Sequence, residues 1–254
     1  MNRTKIEWIK NPDGTQGYTS NPVRGECPIG CSYCFVKPFR NRYGWHKDIR
    51  FYPQELEAIR KRRKPCGIFL GSTIELFHDK TIIYMPEIME TIKAYPQHRF
   101  YLLTKQPQNL PKFSPFPENC WVGVTATNWR MYEAALEAFC QIKAHIAYLS
   151  FEPLLEQITI EESSVKPLIN DFNMTLKKTN KRLIDWLIIG AQTKPYKPPK
   201  IEWVQEIVEA ADKAGIPVFL KENLKSLLPE EEPFYTVIDE DPMQTPRLRQ
   251  ELPK

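Results

Sequence analysis

The sequence predicts an α/β protein whose mainly parallel strands form a partial or complete TIM-like (β/α) barrel. Six short, continuously apolar runs are spaced along the chain, and amphipathic segments with helical periodicity separate several of them. Such runs are typical of strands that are buried on both faces, as in a parallel sheet. Strands that alternate with helices favour one domain with right-handed crossovers. The predicted strands are Gly67 to Leu70, Phe100 to Leu103, Trp121 to Val124, Ile146 to Leu149, Trp186 to Ile189 and Ile216 to Leu220.

Four helices are predicted, one before the first of these strands and three between later ones. Proline is favoured in the first turn of a helix, so Pro53 and Pro86 each indicate a helix start. The side chain of Asn128 is suited to cap a third helix. A fourth helix is expected to end at Gly215, because glycine commonly follows the last helical turn.

Composition restricts the class of protein. Of the 254 residues, 42% are hydrophobic and 26% are charged, which is typical of a globular chain. No apolar run approaches the roughly 18 residues that span a bilayer, so no membrane association is expected. The amino-terminal residues show no secretion signal, which predicts a cytoplasmic protein, and we expect a monomer. The net charge of +4 tolerates a polyanionic partner without identifying one.

The predicted domain organisation is simple. Residues 1–228 are expected to form the barrel domain, with a probable insertion at residues 161–181, where the helical periodicity is weak. Residues 229–254 contain several prolines and acidic residues, and are expected to wrap the surface or to be disordered.

Polar residues follow the ends of the predicted strands. In a barrel these positions converge on the rim at the carboxyl ends of the strands, where active sites of this fold lie. The alternative is that these polar residues simply begin loops. The residues concerned are Ser72, Thr73, Thr104, Lys105, Thr125, Thr127, Ser150, Glu152, Gln192, Thr193, Lys221 and Glu222.

Three of the six cysteines, Cys27, Cys31 and Cys34, lie within eight residues. Electron-transfer clusters of four irons use four cysteine ligands, so three thiolates would leave one iron open to a substrate or cosubstrate. Gly30 would allow the loop to turn tightly. The alternatives are inert thiols or structural zinc, for which the fourth ligand would be His46 or Cys66. Cys66 is a poor candidate because it precedes a strand, at the opposite end of the barrel, and Cys120 and Cys140 are expected to be ordinary buried thiols.

The Cys-x3-Cys-x2-Cys spacing, with Tyr33 just before the last cysteine, resembles the signature of the radical SAM superfamily. Further segments resemble an uncharacterised phage and bacterial branch of that superfamily. These segments are Asn21 to Val23, Gly71 to His78, Leu103 to Lys105, Trp121 to Val124, Leu149 to Leu155 and Ile184 to Trp186.

The resemblance implies a radical SAM enzyme with a 4Fe-4S cluster in the loop after the first strand of a partial barrel. Such an enzyme cleaves S-adenosylmethionine (SAM) reductively and generates a 5′-deoxyadenosyl radical, and it receives its electron from a reductase or a flavodoxin- or ferredoxin-type donor. The substrate is unknown. The alternative is a non-enzymatic zinc or iron-sulfur module that binds nucleic acid.

The resemblance also suggests roles for individual residues. Cys27, Cys31 and Cys34 would be the cluster ligands. The candidates for cofactor binding are Tyr33, Ser72, Thr73, Thr125, Glu152 and Gly190, and the catalytic candidates are Glu152 and Lys221.

Each role has a structural alternative. Tyr33 could serve packing alone, Ser72 and Thr73 could cap a loop, and Glu152 could form a salt bridge to Lys105 or Lys221. The chain also departs from the pattern, since Gly190 is followed by Ala191 rather than by a second glycine and an acidic residue.

A segment that mixes cations with aromatic residues follows the third cysteine. Such a surface can stack on bases and neutralise phosphates, so a nucleotide or nucleic acid is a candidate substrate or partner. Helix packing and support of the SAM-binding loop are the alternative explanation of the same residues. The segment contains Lys37, Arg40, Arg42, Tyr43, Trp45, Lys47 and Arg50. The basic run at residues 60–64 is expected instead to be a solvated helix end.

Overall fold

The structure, a computed structural model, describes residues 1–158, 182–231, 233–236 and 246–253. The predicted insertion at residues 161–181 lies outside the described residues. Contacts divide the chain into two units. The first unit contains residues 1–124 and 141–146, and the second contains residues 125–140 and 147–254.

The first unit contains a ladder of strands in the order β1, β2, β5, β6 and β7. The β1–β2 pair is antiparallel, whereas β2, β5, β6 and β7 pair in parallel along the ladder. A small antiparallel pair is formed by β3 and β4. The strands are β1 (Asn2–Arg3), β2 (Tyr18–Ser20), β3 (Val23–Arg24), β4 (Arg50–Phe51), β5 (Gly67–Leu70), β6 (Arg99–Thr104) and β7 (Cys120–Thr125), and the helices are α1 (Val36–Tyr43), α2 (Pro53–Arg60) and α3 (Met85–Ala94).

The apolar runs of the first unit are strands, as the sequence predicts. All four residues of β5 and all six of β7 are buried, which explains why neither strand alternates apolar with polar residues. Helix α2 begins at Pro53 and α3 carries Pro86 in its first turn, so both predicted helix starts are confirmed.

The second unit contains the parallel ladder β8, β9 and β12. Helix α4 is capped as predicted, because the Met131 amide donates to Oδ1 of Asn128 at 2.9 Å. Helix α5 ends at Ala214 with Gly215 following, also as predicted. The larger elements are α4 (Trp129–Cys140), β8 (Ile146–Phe151), β9 (Trp186–Ile189), α5 (Ile201–Ala214) and β12 (Val218–Leu220). The small ones are β10 (Gln192–Thr193), β11 (Tyr196–Lys197), β13 (Tyr235–Thr236) and β14 (Arg247–Leu248).

Strand β12 begins two residues later than the apolar run that predicts it. The Ile216 amide donates to the Ala211 carbonyl at 2.8 Å and so completes the end of α5. Pro217 has no amide hydrogen to give to a ladder. The strand therefore starts at Val218.

The described part of the carboxyl-terminal segment is bonded to the second unit. The Leu220 amide donates to the Arg249 carbonyl at 2.7 Å, and the Trp186 indole donates to the Glu251 carbonyl at 2.9 Å. The remaining residues of the predicted tail lie outside the described residues.

These strands and helices confirm the α/β class. Eight strands make up the two main ladders, and all their pairings within each unit are parallel except β1–β2. Neither unit's ladder closes on itself within the residues described, so the barrel stays a prediction. Among the described helices, none has the length and apolar character that crossing a membrane requires.

Candidate functional site

The three clustered cysteines lie in a loop of the first unit. The loop comes after β2, the first strand of the parallel ladder, and the short strand β3 separates the two. Cys27, Cys31 and Cys34 are free thiols, and each is half-buried. Gly30 has a φ of 65°, a left-handed conformation that residues with side chains rarely adopt, and it makes the turn between the first two cysteines. The Cys34 amide donates to the Cys31 carbonyl at 3.3 Å and so folds the second half of the loop.

The surroundings of Cys27 connect the loop to the carboxyl end of β5. Burial raises the pKa of the Cys27 thiol, whereas backbone hydrogen bonds from Ile29 and Glu75 lower it. The negative charges of Glu75 and Cys31 add to the rise, which shows that both groups lie near the Cys27 sulfur. Backbone hydrogen bonds to sulfur are one way in which proteins tune thiolate-bound metals.

Glu75 organises this part of the first unit. Its buried carboxylate accepts hydrogen bonds from the Phe77 amide at 3.0 Å, from the Thr104 hydroxyl at 2.7 Å and from the Lys105 amide at 2.7 Å. One side chain thus ties the segment after β5 to the end of β6. The Lys105 ammonium lies 6.0 Å from the centre of the Tyr33 ring, so the cysteine loop approaches the end of β6 as well.

Replacing Glu75 with glutamine should destabilise the protein. An amide has one acceptor oxygen where the carboxylate has two, so either the Thr104 hydroxyl or the Lys105 amide would face an NH2 group. Leaving a buried donor without its acceptor costs about 1 to 3 kcal/mol of unfolding free energy, which chemical denaturation would measure. The exposed Glu90, on α3, gives the matched control as Glu90→Gln. Equal unfolding free energies for the two variants would contradict this role of Glu75.

Ser72 and Thr73 are held by Asn21. Oδ1 of Asn21 accepts hydrogen bonds from the Ser72 hydroxyl, the Thr73 hydroxyl and the Thr73 amide, each at 3.2 Å. These contacts give both residues a role in fixing the loop after β5, which is the structural alternative considered above. Both side chains are half-buried.

The metal-binding potential of the loop rests on its donor set. Three thiols within eight residues provide the ligands that zinc and iron-sulfur clusters use. Within the described ranges, no three His, Cys, Asp or Glu side chains are arranged so that they could hold a metal ion. The donor chemistry therefore fits a metal centre. In this structure, however, the three thiols are not arranged around a common point where a metal ion could lie.

The remaining cysteines do not contribute to this loop in the described contacts. Cys66 is fully buried with its sulfur 3.4 Å from Nδ1 of His98, and burial raises its pKa. Burial also raises the pKa of the Cys120 thiol, as expected of an ordinary core cysteine. Cys140 is half-buried rather than buried, because it is the last residue of α4.

A second group of candidate residues lies in the second unit, where β8, β9 and β12 end. The Lys221 ammonium forms an ion pair with the Glu152 carboxylate. The Lys221 side chain is 10% exposed and that of Glu152 is 25% exposed. Of the two salt bridges considered for Glu152 from sequence, the structure forms the one to Lys221.

Gly190 lies against this ion pair. A Cβ atom at that position would be 2.9 Å from Cδ of Lys221 and 3.3 Å from Cγ of Glu152. Asn223 fixes the next residue, since its side chain accepts from the Ala191 amide at 3.1 Å and donates to the Ala191 carbonyl at 2.9 Å. The absence of a side chain at Gly190 is therefore explained by the packing of the pair.

The second unit also contains two buried residues with hydroxyl groups. Thr125 is 1% exposed, and Ser150 is fully buried on β8. Among the described residues, the Ser150 hydroxyl has no hydrogen-bond partner. A buried hydroxyl without a partner is costly, and it provides a polar atom for a bound group.

The basic run at residues 60–64 is engaged in local contacts. Arg60 pairs with Glu57 at 2.6 Å, Arg62 lies 4.1 Å from the centre of the Tyr18 ring, and Lys64 pairs with Asp13 at 3.2 Å. These contacts support the interpretation of this run as a helix end rather than a binding surface.

The sequence analysis missed the positioning roles of Glu75, Asn21 and Asn223. Asn21 and Glu75 lie in segments that the resemblance includes, yet a bare sequence does not say which donors they meet. Asn223 had a weaker signal, as a polar residue three positions after the end of a strand.

An α/β fold with a loop of three free thiols, followed along the chain by parallel strands with polar ends, defines a protein with a candidate metal-binding site. Residues 3–226 match the family model described as Protein of unknown function (DUF5131), and the chain belongs to that family. No curated protein and no solved structure matches the chain closely enough to count as similar.

Proposed function

We propose that this protein is a radical SAM enzyme. The observation that carries the proposal is the loop of Cys27, Cys31 and Cys34, three free and half-buried thiols that follow the first strand of a parallel ladder. Cys27, Cys31 and Cys34 would hold a 4Fe-4S cluster, which, once reduced by an electron donor, would supply the single electron that cleaves SAM into methionine and a 5′-deoxyadenosyl radical. The substrate of that radical is a separate question.

The residues around the loop would hold the ligands in place. Backbone hydrogen bonds from Ile29 and Glu75 already reach the Cys27 sulfur, and such bonds stabilise a thiolate ligand. The bonds of the Glu75 side chain to Thr104 and Lys105 keep its own backbone donor in position. The proposed role of Glu75 is therefore to position the cysteine loop rather than to react.

Ser72, Thr73 and Tyr33 are the proposed cofactor-binding residues of the first unit. Asn21 fixes Ser72 and Thr73 with one carbonyl oxygen, which leaves the hydroxyl oxygens as acceptors for an amino group. Tyr33 offers a ring face for packing against adenine or for shielding the loop from water.

Glu152 and Lys221 are the proposed catalytic residues of the second unit, with Thr125 and Gly190 as further cofactor-binding candidates. The Glu152 carboxylate has an ammonium group for its partner, so a proton can pass between the two side chains. Glu152 is also suited to accept hydrogen bonds from the hydroxyl groups of a ribose. We further propose a cytoplasmic monomer that receives electrons from a reductase or a flavodoxin- or ferredoxin-type protein.

The test is anaerobic reconstitution of the full chain with iron and sulfide. The expected result is about four irons per chain with a broad visible charge-transfer absorption. Addition of dithionite and SAM should then yield 5′-deoxyadenosine. Colourless protein with stoichiometric zinc would contradict the proposal. So would a protein with a full complement of iron and sulfide that yields no 5′-deoxyadenosine, whether or not a nucleotide or nucleic acid is added.

A further inference from the structure

Helix α1 and the residues that flank it expose an unusual number of aromatic side chains. Phe35, Phe39, Tyr43 and Trp45 are 48%, 37%, 60% and 48% exposed. We call these four residues the aromatic platform. They account for more than half of the large hydrophobic residues that are exposed in the described parts of the chain. Clustering of exposed apolar groups in one segment indicates a binding surface.

Helix α1, which carries part of the aromatic platform, packs very little of its surface on the core. Val36 is the only buried residue of α1. Phe35, Phe39 and Tyr43 are spaced four residues apart, so their side chains follow one another along one side of the helix. The Phe39 and Tyr43 rings are 3° from parallel with centroids 6.5 Å apart. Two rings of the platform are therefore parallel and close together on an exposed part of the helix.

Cations alternate along the chain with the residues of the aromatic platform. Lys37, Arg42 and Lys47 are exposed, and in the part of the chain that the structure describes none of them forms an ion pair. The Arg42 guanidinium lies 5.7 Å from the centre of the Tyr43 ring. Two further arginines are neutralised, Arg40 by Glu26 at 2.6 Å and Arg50 by Asp48 at 3.1 Å. Three positive charges thus remain for a ligand.

We propose that the aromatic platform binds single-stranded nucleic acid, with bases stacked on its rings and phosphates held by Lys37, Arg42 and Lys47. Aligned ring faces with interspersed cations are the combination that binds single strands without sequence preference. Unpaired bases have free faces to stack, whereas those of a duplex do not. The inference concerns the surface of the first unit alone, and it holds whether or not the cysteine loop carries a metal.

An anionic membrane surface is the competing ligand, and the composition of the surface argues against it. Helices that lie in a membrane interface have an apolar face, rich in Leu, Phe and Trp, and an opposite polar face that carries cations. Here the exposed apolar side chains of the segment are all aromatic, and the helix is eight residues long. The parallel rings also provide flat surfaces on which bases can stack, whereas lipid binding does not require parallel rings.

The experiment compares binding of two probes to the full chain. The first probe is a fluorescent oligothymidylate of about 12 nucleotides, which is within the usual site size of single-strand binders. The second is a vesicle of phosphatidylcholine and phosphatidylserine. The double variant Phe39→Leu with Tyr43→Leu keeps apolar side chains but removes the rings. We expect this variant to bind the oligonucleotide at least about tenfold more weakly in fluorescence anisotropy.

A charge variant tests the second half of the proposal. Replacing Lys37, Arg42 and Lys47 together with glutamine should weaken binding and lower the slope of log K against log salt by about 2, since each phosphate contact on a single strand contributes about 0.7. The matched control is Lys61→Gln with Arg63→Gln, which removes exposed cations from the other basic run. We expect the control to bind like the unchanged protein at equal salt.

The outcomes separate clearly. Loss of oligonucleotide binding in the ring variant and in the charge variant, but not in the control, supports the proposal. Binding that the ring variant retains, or an affinity for vesicles without one for the oligonucleotide, overturns it. Circular dichroism checks that each variant is folded, and if the ring variant is not folded the charge variant decides the matter. Because the measurement needs no metal, a failure here is distinct from a failure of the proposed enzymatic function.

Discussion

Replacement of Cys31 by alanine is expected to abolish iron retention while leaving the fold intact. The proposed centre has three protein ligands, and we expect a four-iron cluster that loses one of them to be released during gel filtration. Cys31 is half-buried in a surface loop, so the loss of its sulfur removes little packing. After anaerobic reconstitution and desalting, iron should fall from about four atoms per chain to under about one, with loss of the visible absorption.

The matched control for this experiment is Cys140→Ala. Cys140 is also a half-buried free thiol, but it ends α4 in the second unit rather than lying in the cysteine loop. We expect the control to retain the full iron content. Equal iron in the Cys31→Ala variant and in the unchanged protein would remove the basis of the proposed function. If zinc rather than iron fills the unchanged protein and is lost in the variant, the loop is a zinc site.

Replacement of Glu152 by glutamine is expected to destabilise the protein by about 2 kcal/mol. The substitution keeps the shape of the side chain but leaves the Lys221 ammonium, which is 10% exposed, without its counter-charge. Breaking a fully buried ion pair costs more, and the smaller figure reflects the 25% exposure of Glu152. Equilibrium denaturation with urea would measure the change in unfolding free energy.

A double-mutant cycle identifies the cause of that loss. Lys221→Met alone should destabilise as well, because it leaves the carboxylate without its partner, whereas the double variant should recover part of the stability. The control is Glu133→Gln on the exposed side of α4, for which we expect almost no change. If the two single effects simply add, the pair does not contribute to stability. In that case the activity of the single variants would be the next measurement, because it tests the proposed catalytic role apart from stability.

Much of the fold follows from local patterns. Strands β5 and β9 begin and end where the apolar runs do, because a strand buried on both faces needs nothing except apolar residues along its length. Helix α4 begins after Asn128 because a cap depends on residues three positions apart. The apolar run overestimates β12 by two residues, because the Ile216 amide completes the end of α5 and Pro217 has no amide hydrogen to give to a ladder.

The candidate site was only partly predictable. The Cys-x3-Cys-x2-Cys spacing is visible in the sequence, and so is the position of Glu152 and Lys221 after apolar runs. The sequence does not show that Glu75 reaches Thr104, 29 residues away, or that Lys221 rather than Lys105 is the partner of Glu152. Those contacts depend on which strands are neighbours.

By itself, then, the sequence determined the alternation of strands with helices, the cluster of three thiols and the aromatic and basic composition of the segment after it. Only the tertiary structure decided that the Asn21 side chain accepts hydrogen bonds from Ser72 and Thr73. It also decided that an ion pair packs against Gly190. The same holds for the exposed, parallel rings of Phe39 and Tyr43. The physical reason is that patterns of polarity act between residues a few positions apart, whereas a hydrogen bond, an ion pair or an exposed ring is fixed by chain segments that folding brings together.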